Sequence, residues 1–446
     1  MPRKKPPACP ATCNVLLIGG GGREHALGWK LKQSPRLGKL WLSDPGNGGL
    51  ARLGQPCPIK MDVRDVFRMN RWCDQQDIDL VVVGPEQPLA KGIVDALQTD
   101  RRVVFGPEKA AAQLEADKAF AKELMHAASV PTASSRTFKR ADVAREYVLA
   151  HDEPCVVKAA GLAAGKGAIV CEMQADALDA IDRIMIQREF GDAGDVIIVE
   201  EKLSGQEVSI LALVDGQTIT VLDPCQDHKQ VGEGDTGPNT GGMGAYCPTP
   251  VIDRAMLRIV ERDVLVAIVD ALRRENIIFR GVLYAGIMLT PAGPKVLEFN
   301  CRFGDPEGQP LMARLQGDLI EILWATCTGR LNEVEIDFDP RTACCVVMCS
   351  EGYPGPFEKG RPITGIADAE ALSDDRGQVI VFHAGTTVNH EGVLVTSGGR
   401  VLGVTALAKN LRTARELANA ACAKIHFDGA YYRRDIGDRV LAKATV

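Results

Sequence analysis

The residues with the most chemical content lie in one stretch, Val296-Leu297-Glu298-Phe299-Asn300-Cys301-Arg302-Phe303-Gly304-Asp305-Pro306-Glu307. An apolar, alternating run ends there in polar groups and turns at Gly304 and Pro306. Residues two apart in a strand share a face, which sets Leu297 and Phe299 on one side and Glu298 and Asn300 on the other. A carboxylate beside an amide oxygen suits a hard cation, and Mg²⁺ takes oxygen ligands and borrows the rest from phosphate and water. Arg302 follows, a guanidinium suited to a carboxylate or a phosphate. The stretch is expected to gather a metal on Glu298 and Asn300, a nucleotide phosphate and an acidic substrate.

Glycine loops elsewhere supply what such a centre needs. Gly19-Gly20-Gly21-Gly22 lies between an apolar strand, Asn14 to Ile18, and a helix from Arg23 to Leu31, which makes a ready anion site. The dinucleotide fingerprint G-x-G-x-x-G fails there, because Glu24 or His25 falls at its third glycine; a nicotinamide cofactor is excluded, and a plain tight turn is the alternative. Asp44, Asn47 and the loop at Glu86 follow later strands of the same alternating pattern. Repeated strand–helix alternation gives a parallel sheet, whose ligands bind at the carboxyl ends of the strands. A sugar phosphate carrying an amine would suit this edge.

Lys158 ends a strand, and the loop after it carries Gly161, Gly165, Lys166 and Gly167. It is not a Walker A loop, which needs G-x-x-x-x-G-K-[ST] opening a helix. It is expected to be a glycine flap over phosphates, with a hairpin tip as the alternative. Val196 to Glu201 is a strand leaving this lobe through a polar turn, where backbone groups could meet an adenine edge and Glu207 the ribose hydroxyls. Asp227-His228-Lys229-Gln230 precedes a segment, Gly232 to Gly244, that is expected to lack regular structure and to form a binding loop around Asp235, Asn239 and Thr240, since long irregular segments tend to be functional. His228 is expected at the surface. Lys118 and Lys122 fall on a helix spanning Ala110 to Ala127, where a solvated face is the plain reading.

The elements that must position these groups fit within 446 residues, 46% hydrophobic and 25% charged. A net charge of −6 without a basic stripe argues against a nucleic-acid partner, and no window approaches the ~18 apolar residues of a membrane helix. Fourteen cysteines without a Cys-x-x-Cys fit a reducing cytoplasm, with Cys344, Cys345 and Cys349 on a buried strand. The expected organisation is a loose extension over 1–13, a Rossmann-like region over 14–112, a middle region over 113–335 with a small lobe at about 134–201, and a small α+β cap over 336–446 in which Gly398 and Gly399 make a hairpin turn.

Together these stretches resemble the ATP-grasp superfamily and, within it, the phosphoribosylamine–glycine ligases, also called glycinamide ribonucleotide synthetases. The resemblance runs from about Asn14 to the C-terminus. It is carried by Gly19 to Ala26, Gly84-Pro85-Glu86, Lys158 to Gly167, Asp227-His228-Lys229, Gly237 to Ala245, Leu297 to Glu307, and Tyr432-Arg433-Arg434-Asp435-Ile436-Gly437. Other ATP-grasp enzymes share the lysine, hinge and metal positions, but not the paired Gly237–Gly244 and Glu298–Glu307 motifs.

The resemblance implies an α/β and α+β multidomain fold: an N-terminal pre-ATP-grasp domain, an ATP-grasp domain with its flap lobe, and a C-terminal domain. It implies that ATP, glycine and 5-phosphoribosylamine give glycinamide ribonucleotide, ADP and phosphate through glycyl phosphate, an early step of purine synthesis. Lys118, Lys158, the flap residues, Glu200, Glu201, Leu203 and Glu207 match ATP-binding positions. Glu298 and Asn300 match ligands of Mg²⁺ or Mn²⁺. Arg302 and Lys229 stand with the catalytic residues, Arg302 on the glycine carboxylate or the transferring phosphate. Gly20, Gly21, Gly22, Arg23, Glu24, Asn47 and Glu86 would hold the ribose phosphate, and Asp235, Asn239 and Thr240 would lie beside the acceptor amine. A cytoplasmic monomer or weak dimer is expected. Gln230 stands where arginine is expected in many relatives, and Gly308 where a bulkier residue is. The rivals are another ATP-grasp ligase or biotin-dependent carboxylase subunit, and a non-catalytic nucleotide-binding regulator.

Overall fold

The first strand, Cys13–Ile18, is apolar at every position but Asn14, as a strand covered on both faces must be. In the computed structural model, which describes residues 8–163 and 165–442, it is the centre of a parallel sheet ordered Gln55–Pro56, Leu37–Leu42, Cys13–Ile18, Leu80–Val83, Val103–Phe105. The order reverses beside the first strand. Its carboxyl end and the helix Gly22–Leu31 therefore flank a crevice, the usual ligand position in such sheets. Residues 1–7 of the expected extension lie outside the described residues. The rest of it is docked rather than loose: Cys9 packs on the core, and the Pro10 carbonyl accepts from Arg36 at 3.4 Å.

The helix expected over Ala110 to Ala127 is two helices, Lys109–Ala116 and Lys118–Ala127. Asp117 breaks it with extended backbone (φ −135, ψ 99), and its carboxylate accepts from the N–H groups of Ala119 and Phe120, the N-cap arrangement. The small lobe is an antiparallel sheet ordered Ser135–Phe138, Ile197–Glu201, Cys155–Ala159, Ala168–Cys171. The flap joins its last two strands, with Ala164 outside the described residues.

A second antiparallel sheet, ordered Ile219–Val221, Gln206–Val214, Gly281–Thr290, Gly293–Asn300, packs its apolar side on helices Lys118–Ala127 and Ala267–Arg274. The expected alternation of Leu297 with Phe299 is not what this sheet shows. Gly286 pairs with Glu298, but Ile287 pairs with Val296, so Leu297 is the extra residue of a β-bulge. A bulge shifts the phase of a strand. Val296 and Phe299 enter the core, while Leu297 is only half-buried and stands outside that cluster.

The segment expected to be irregular from Gly232 to Gly244 is instead partly a two-stranded ribbon, Gln230–Gly232 against Thr236–Asn239. The last sheet is ordered Gln226–Asp227, Gly244–Cys247, Thr342–Cys349, Arg400–Ala408, Gly377–His383. Two of its five strands thus flank the ribbon and come from the middle region. Helix Leu411–Cys422 covers it, and Cys344, Cys345 and Cys349 are buried in it.

Candidate active site

Glu298 and Asn300 end their strand on the face opposite the core. The Glu298 carboxylate accepts no hydrogen bond from any described residue. Burial pushes it up, but the charges of Lys229, Lys118, Lys158 and Arg302 outweigh burial and hold it below the usual range. Four cations carried on four different segments thus converge on one carboxylate.

Each cation has its own support. Asp117 caps the helix that opens with Lys118, and the Lys118 N–H donates to the Ala160 carbonyl at 2.8 Å, tying that helix to the flap. Lys158 donates to the Leu297 carbonyl at 3.1 Å, a group carried by the bulged residue, and pairs with Glu200. Lys229 pairs with Glu207; Glu207, Asp227 and Glu298 overcome burial and raise its ammonium above the usual range. Asp227, beside it, is pushed up to about 8 by burial. Arg302 lies 2.9 Å from Glu115 and 3.6 Å from Glu86, and donates to Asn300 Oδ1 at 3.2 Å. Its Nε makes no hydrogen bond. Against its burial, Glu86 is held low by Arg302 and Arg23, whereas burial pushes Glu115 up.

Lys122, read as solvated, is the largest surprise. It is 4% exposed, sits 2.6 Å from Glu200 and donates to Thr132 Oγ1 at 2.8 Å. Burial lowers its pKa against the pull of Glu200. The Glu200 carboxylate is therefore committed to Lys122 and Lys158, and Glu201 to Lys295 at 2.6 Å. Leu203 lies in the turn between Ile197–Glu201 and Gln206–Val214. His228, expected at the surface, is buried, and burial lowers its pKa to about 3.

A cleft of about 550 Å³ opens at Asp305, on the turn that follows Arg302. Gly20, Gly21, Gly22 and Asn47 line one side; Ala384 to Thr387, Ser397 and Arg400 of the C-terminal region line the other. The region expected only to cap the molecule thus contributes a wall. Arg400 donates to the carbonyls of Gly241 at 2.6 Å and Asp305 at 2.7 Å. Gly242, at φ +113, lies against Pro306, where a Cβ would come within 2.4 Å of the ring; this lets the loop press on the turn after Arg302.

Several expected substrate groups are spent inside the protein. Glu24 is 2% exposed and accepts from Gly21 N–H and Arg23 Nε, both at 2.6 Å. A Cβ at Gly84 would stand 2.0 Å from it. Arg23 also donates to the Phe303 carbonyl at 2.9 Å. Asn47 donates to the carbonyls of Gly20, His383 and Ala384 at 2.8–3.0 Å. Asp235 is held by Arg433 and Arg439. Asn239 is exposed. Thr240 donates to the Lys229 carbonyl at 2.7 Å. In the flap, Gly161 rests on Ala193, the Gly167 carbonyl accepts from Ala159 N–H, a Cβ at Gly165 would stand 4.0 Å from Thr240 and Gly241, and Lys166 donates to the Pro354 carbonyl at 2.9 Å. Gln230 contributes its carbonyl, to Arg433 at 2.9 Å. Gly308 faces Arg23, with room for a Cβ at 3.4 Å.

Among the described residues no three His, Cys, Asp or Glu side chains cluster as a metal site. One free carboxylate with one amide oxygen nevertheless fits Mg²⁺ or Mn²⁺ that completes its shell with phosphate and water.

The lobe, the flap and the cation ring around Glu298 define an ATP-grasp enzyme, and comparison with known proteins narrows that class. Family models described as phosphoribosylglycinamide synthetase N domain, ATP-grasp (A) domain and C domain match residues 13–115, 116–308 and 343–439. The chain belongs to the phosphoribosylglycinamide synthetase family. It is 50% identical over 438 residues to a phosphoribosylamine–glycine ligase of Rhodopirellula baltica, covering 97% of this chain and 98% of that one. A crystal structure of phosphoribosylamine–glycine ligase from Thermotoga maritima superposes with a TM-score of 0.78 at 29% identity, over 95% of this chain and 100% of that one. A biotin carboxylase domain from Hydrogenobacter thermophilus superposes with a TM-score of 0.71 at 13% identity, over 95% and 92%, and shares the fold alone.

Proposed function

We infer that the chain ligates glycine to 5-phosphoribosylamine at the expense of ATP, forming glycinamide ribonucleotide, ADP and phosphate in purine synthesis. The observation that carries this reading is that Lys158 reaches the Leu297 carbonyl and Arg302 reaches Asn300, with Lys118, Lys158, Lys229 and Arg302 all acting on the Glu298 carboxylate between them, in a molecule whose cleft of about 550 Å³ is lined by Gly20 to Gly22 and by Asp305. Phosphoryl transfer needs positioning and charge neutralisation more than covalent help. The glycine carboxylate attacks the γ-phosphorus and ADP leaves. The amine of phosphoribosylamine then attacks the acyl carbon and phosphate leaves.

Lys118, Lys158 and the flap hold the nucleotide phosphates, and the turn at Glu201 and Leu203 meets the adenosine. Glu200 works one step back, fixing Lys158. Glu298 and Asn300 hold Mg²⁺ or Mn²⁺, which neutralises phosphate charge when bound. Arg302, backed by Glu115 and Glu86, faces the glycine carboxylate or the phosphate being transferred. The backbone N–H groups of Gly20 and Gly22 take the ribose phosphate in the cleft, that of Gly21 being held by Glu24.

ADP release measured with a coupled assay should require glycine and phosphoribosylamine together. Turnover with bicarbonate or another acid in place of that pair would overturn the assignment. Glu298→Ala should abolish turnover while the chain stays folded by circular dichroism; near-normal activity at ordinary magnesium would remove Glu298 from the metal. Among the described residues no helix is long and apolar enough to cross a membrane. Fourteen unpaired thiols support a cytoplasmic setting. The chain acts as a monomer or weak dimer, which sedimentation velocity decides.

A further inference from the structure

The motif Arg433-Arg434-Asp435-Ile436-Gly437 lies far along the chain from the cation ring, and nothing in the reaction above uses it. Its contacts are nevertheless concentrated on a single short segment, the one that carries Lys229. Arg439 donates to the Asp227 carbonyl at 3.2 Å. The Gly437 N–H donates to His228 Nε2 at 3.1 Å. Arg433 donates to the Gln230 carbonyl at 2.9 Å. Every neighbour of Lys229 in the chain is thus gripped from the C-terminal segment. Asp235, at the far end of the ribbon, is shared between Arg433 at 3.0 Å and Arg439 at 2.7 Å, and Asp435 accepts from Gly234 N–H at 2.8 Å and from Arg433 at 2.7 Å.

The arrangement has the marks of a rigid mount. Arg433 is fully buried, and four of its five N–H donors are committed to two carboxylates and a carbonyl. The His228 ring accepts a backbone N–H, which fixes its neutral form and orientation. The opposite edge of the Lys229 segment is closed by Thr240, which donates to the Lys229 carbonyl through both N–H and Oγ1 at 2.7 Å. The Lys229 side chain leaves this frame to pair with Glu207, where Glu298 also acts on it.

We propose that residues 433–439 are a positioning element of the active site, with Arg433 and Arg439 clamping the backbone on both sides of Lys229 so that its ammonium is held at the Glu207–Glu298 pair. The proposal rests on the reading that Lys229 takes part in the reaction. It also reassigns Asp235 from the acceptor amine to the clamp. A shift of about 1 Å in a reacting group can cost about a hundredfold in rate, so loosening the mount shows in turnover before it shows in nucleotide affinity.

The test is a double-mutant cycle in the full chain between Arg439→Gln and Lys229→Met. Residues acting as one unit give strongly non-additive losses. Arg439→Gln should lower kcat about tenfold with less than about a twofold change in the apparent KM for ATP. In the Lys229→Met background the same change should cost less than about twofold. Arg439→Lys, which keeps the charge near Asp235, should recover part of the loss. Equal fold-losses in both backgrounds overturn the clamp, as does a normal kcat in Arg439→Gln. A normal kcat in Lys229→Met instead removes the reading on which the clamp rests. Should Arg439→Gln fail to fold, Asp235→Asn takes its place in the cycle with the same expectations, since it weakens both arginine contacts without changing volume.

Discussion

Arg302 and Lys122 show how side chains at this site are fixed by their partners. Arg302 is the cation with the most acidic support, Glu115 at 2.9 Å and Glu86 at 3.6 Å, yet its Nε has no hydrogen bond. A guanidinium oriented by two acids is pre-set for a planar carboxylate. Arg302→Ala should therefore raise the apparent KM for glycine at least tenfold while changing that for ATP far less, about the value of one charge-assisted contact; the reverse pattern in initial-rate kinetics would put Arg302 on the phosphate. Lys122 has a different task. Breaking a buried ion pair by removing one partner costs about 3–5 kcal/mol, because the other charge stays buried. In Lys122→Met, Glu200 keeps Lys158, so the loss should fall at the lower end, about 3 kcal/mol in urea unfolding, with weaker ATP binding through the displaced Lys158. A variant with unchanged stability would show that the Lys122–Glu200 pair holds nothing in place.

At the scale of elements, the sequence is informative wherever the determining contact is local and misleading wherever it is not. Glu298 and Asn300 are legible because two polar residues at strand spacing on an apolar run have one face open to them. Leu297 is not, since its bulge arises from the register with Gly281–Thr290, and pairing partners are absent from a single strand's pattern. Lys118 and Lys122 read alike on one helical face; only the docking of the small lobe makes one a buried partner of Glu200. The ribbon within 228–244 escapes detection because its glycines mark turns while its short strands lack apolar alternation. The C-terminal wall of the cleft and the clamp on Lys229 depend on a sheet that joins Gln226–Asp227 to Arg400–Ala408, and no local signal announces that. Asp117 was legible in principle: an aspartate ahead of a helical run is an N-cap candidate, hidden here by the helical pattern continuing on both sides. Because it caps the helix that opens with Lys118, Asp117→Ala should cost about 1 kcal/mol in thermal or urea unfolding. An unchanged midpoint would mean that the helix start is held by tertiary contacts alone.

For the whole molecule, three buried histidines couple its parts to pH. His25, on the first helix, accepts the His383 N–H on Nδ1 at 2.7 Å, with the two rings edge-to-face at 5.3 Å; this contact docks the N-terminal sheet on the C-terminal one. His228 accepts the Gly437 N–H and holds the ribbon to the last segment. Burial lowers His25 to about 3, helped by His383 and Arg52, lowers His383 to about 4, helped by Arg52, and lowers His228 to about 3, helped by Arg439 and Arg433 against Asp235 and Asp435. The unfolded chain binds these protons near pH 6.5, whereas the folded chain does not until pH 3–4. Between those limits the unfolded state carries more protons, so stability rises with pH and is lost as pH falls below about 6.5. Three such groups give a slope of up to about 4 kcal/mol per pH unit near the middle of that window, of which Asp227, raised by burial to about 8 and so protonated in the folded chain there, offsets about a third. Urea unfolding from pH 7 down to 5 should show this loss, and the domain contacts at His25 and His228 should fail together. In His25→Asn the amide oxygen can still accept the His383 N–H but does not titrate, so the slope should flatten by about 1.4 kcal/mol per pH unit. An unaltered slope in that variant would mean that carboxylates, not the histidines between the sheets, set the acid limit of the fold.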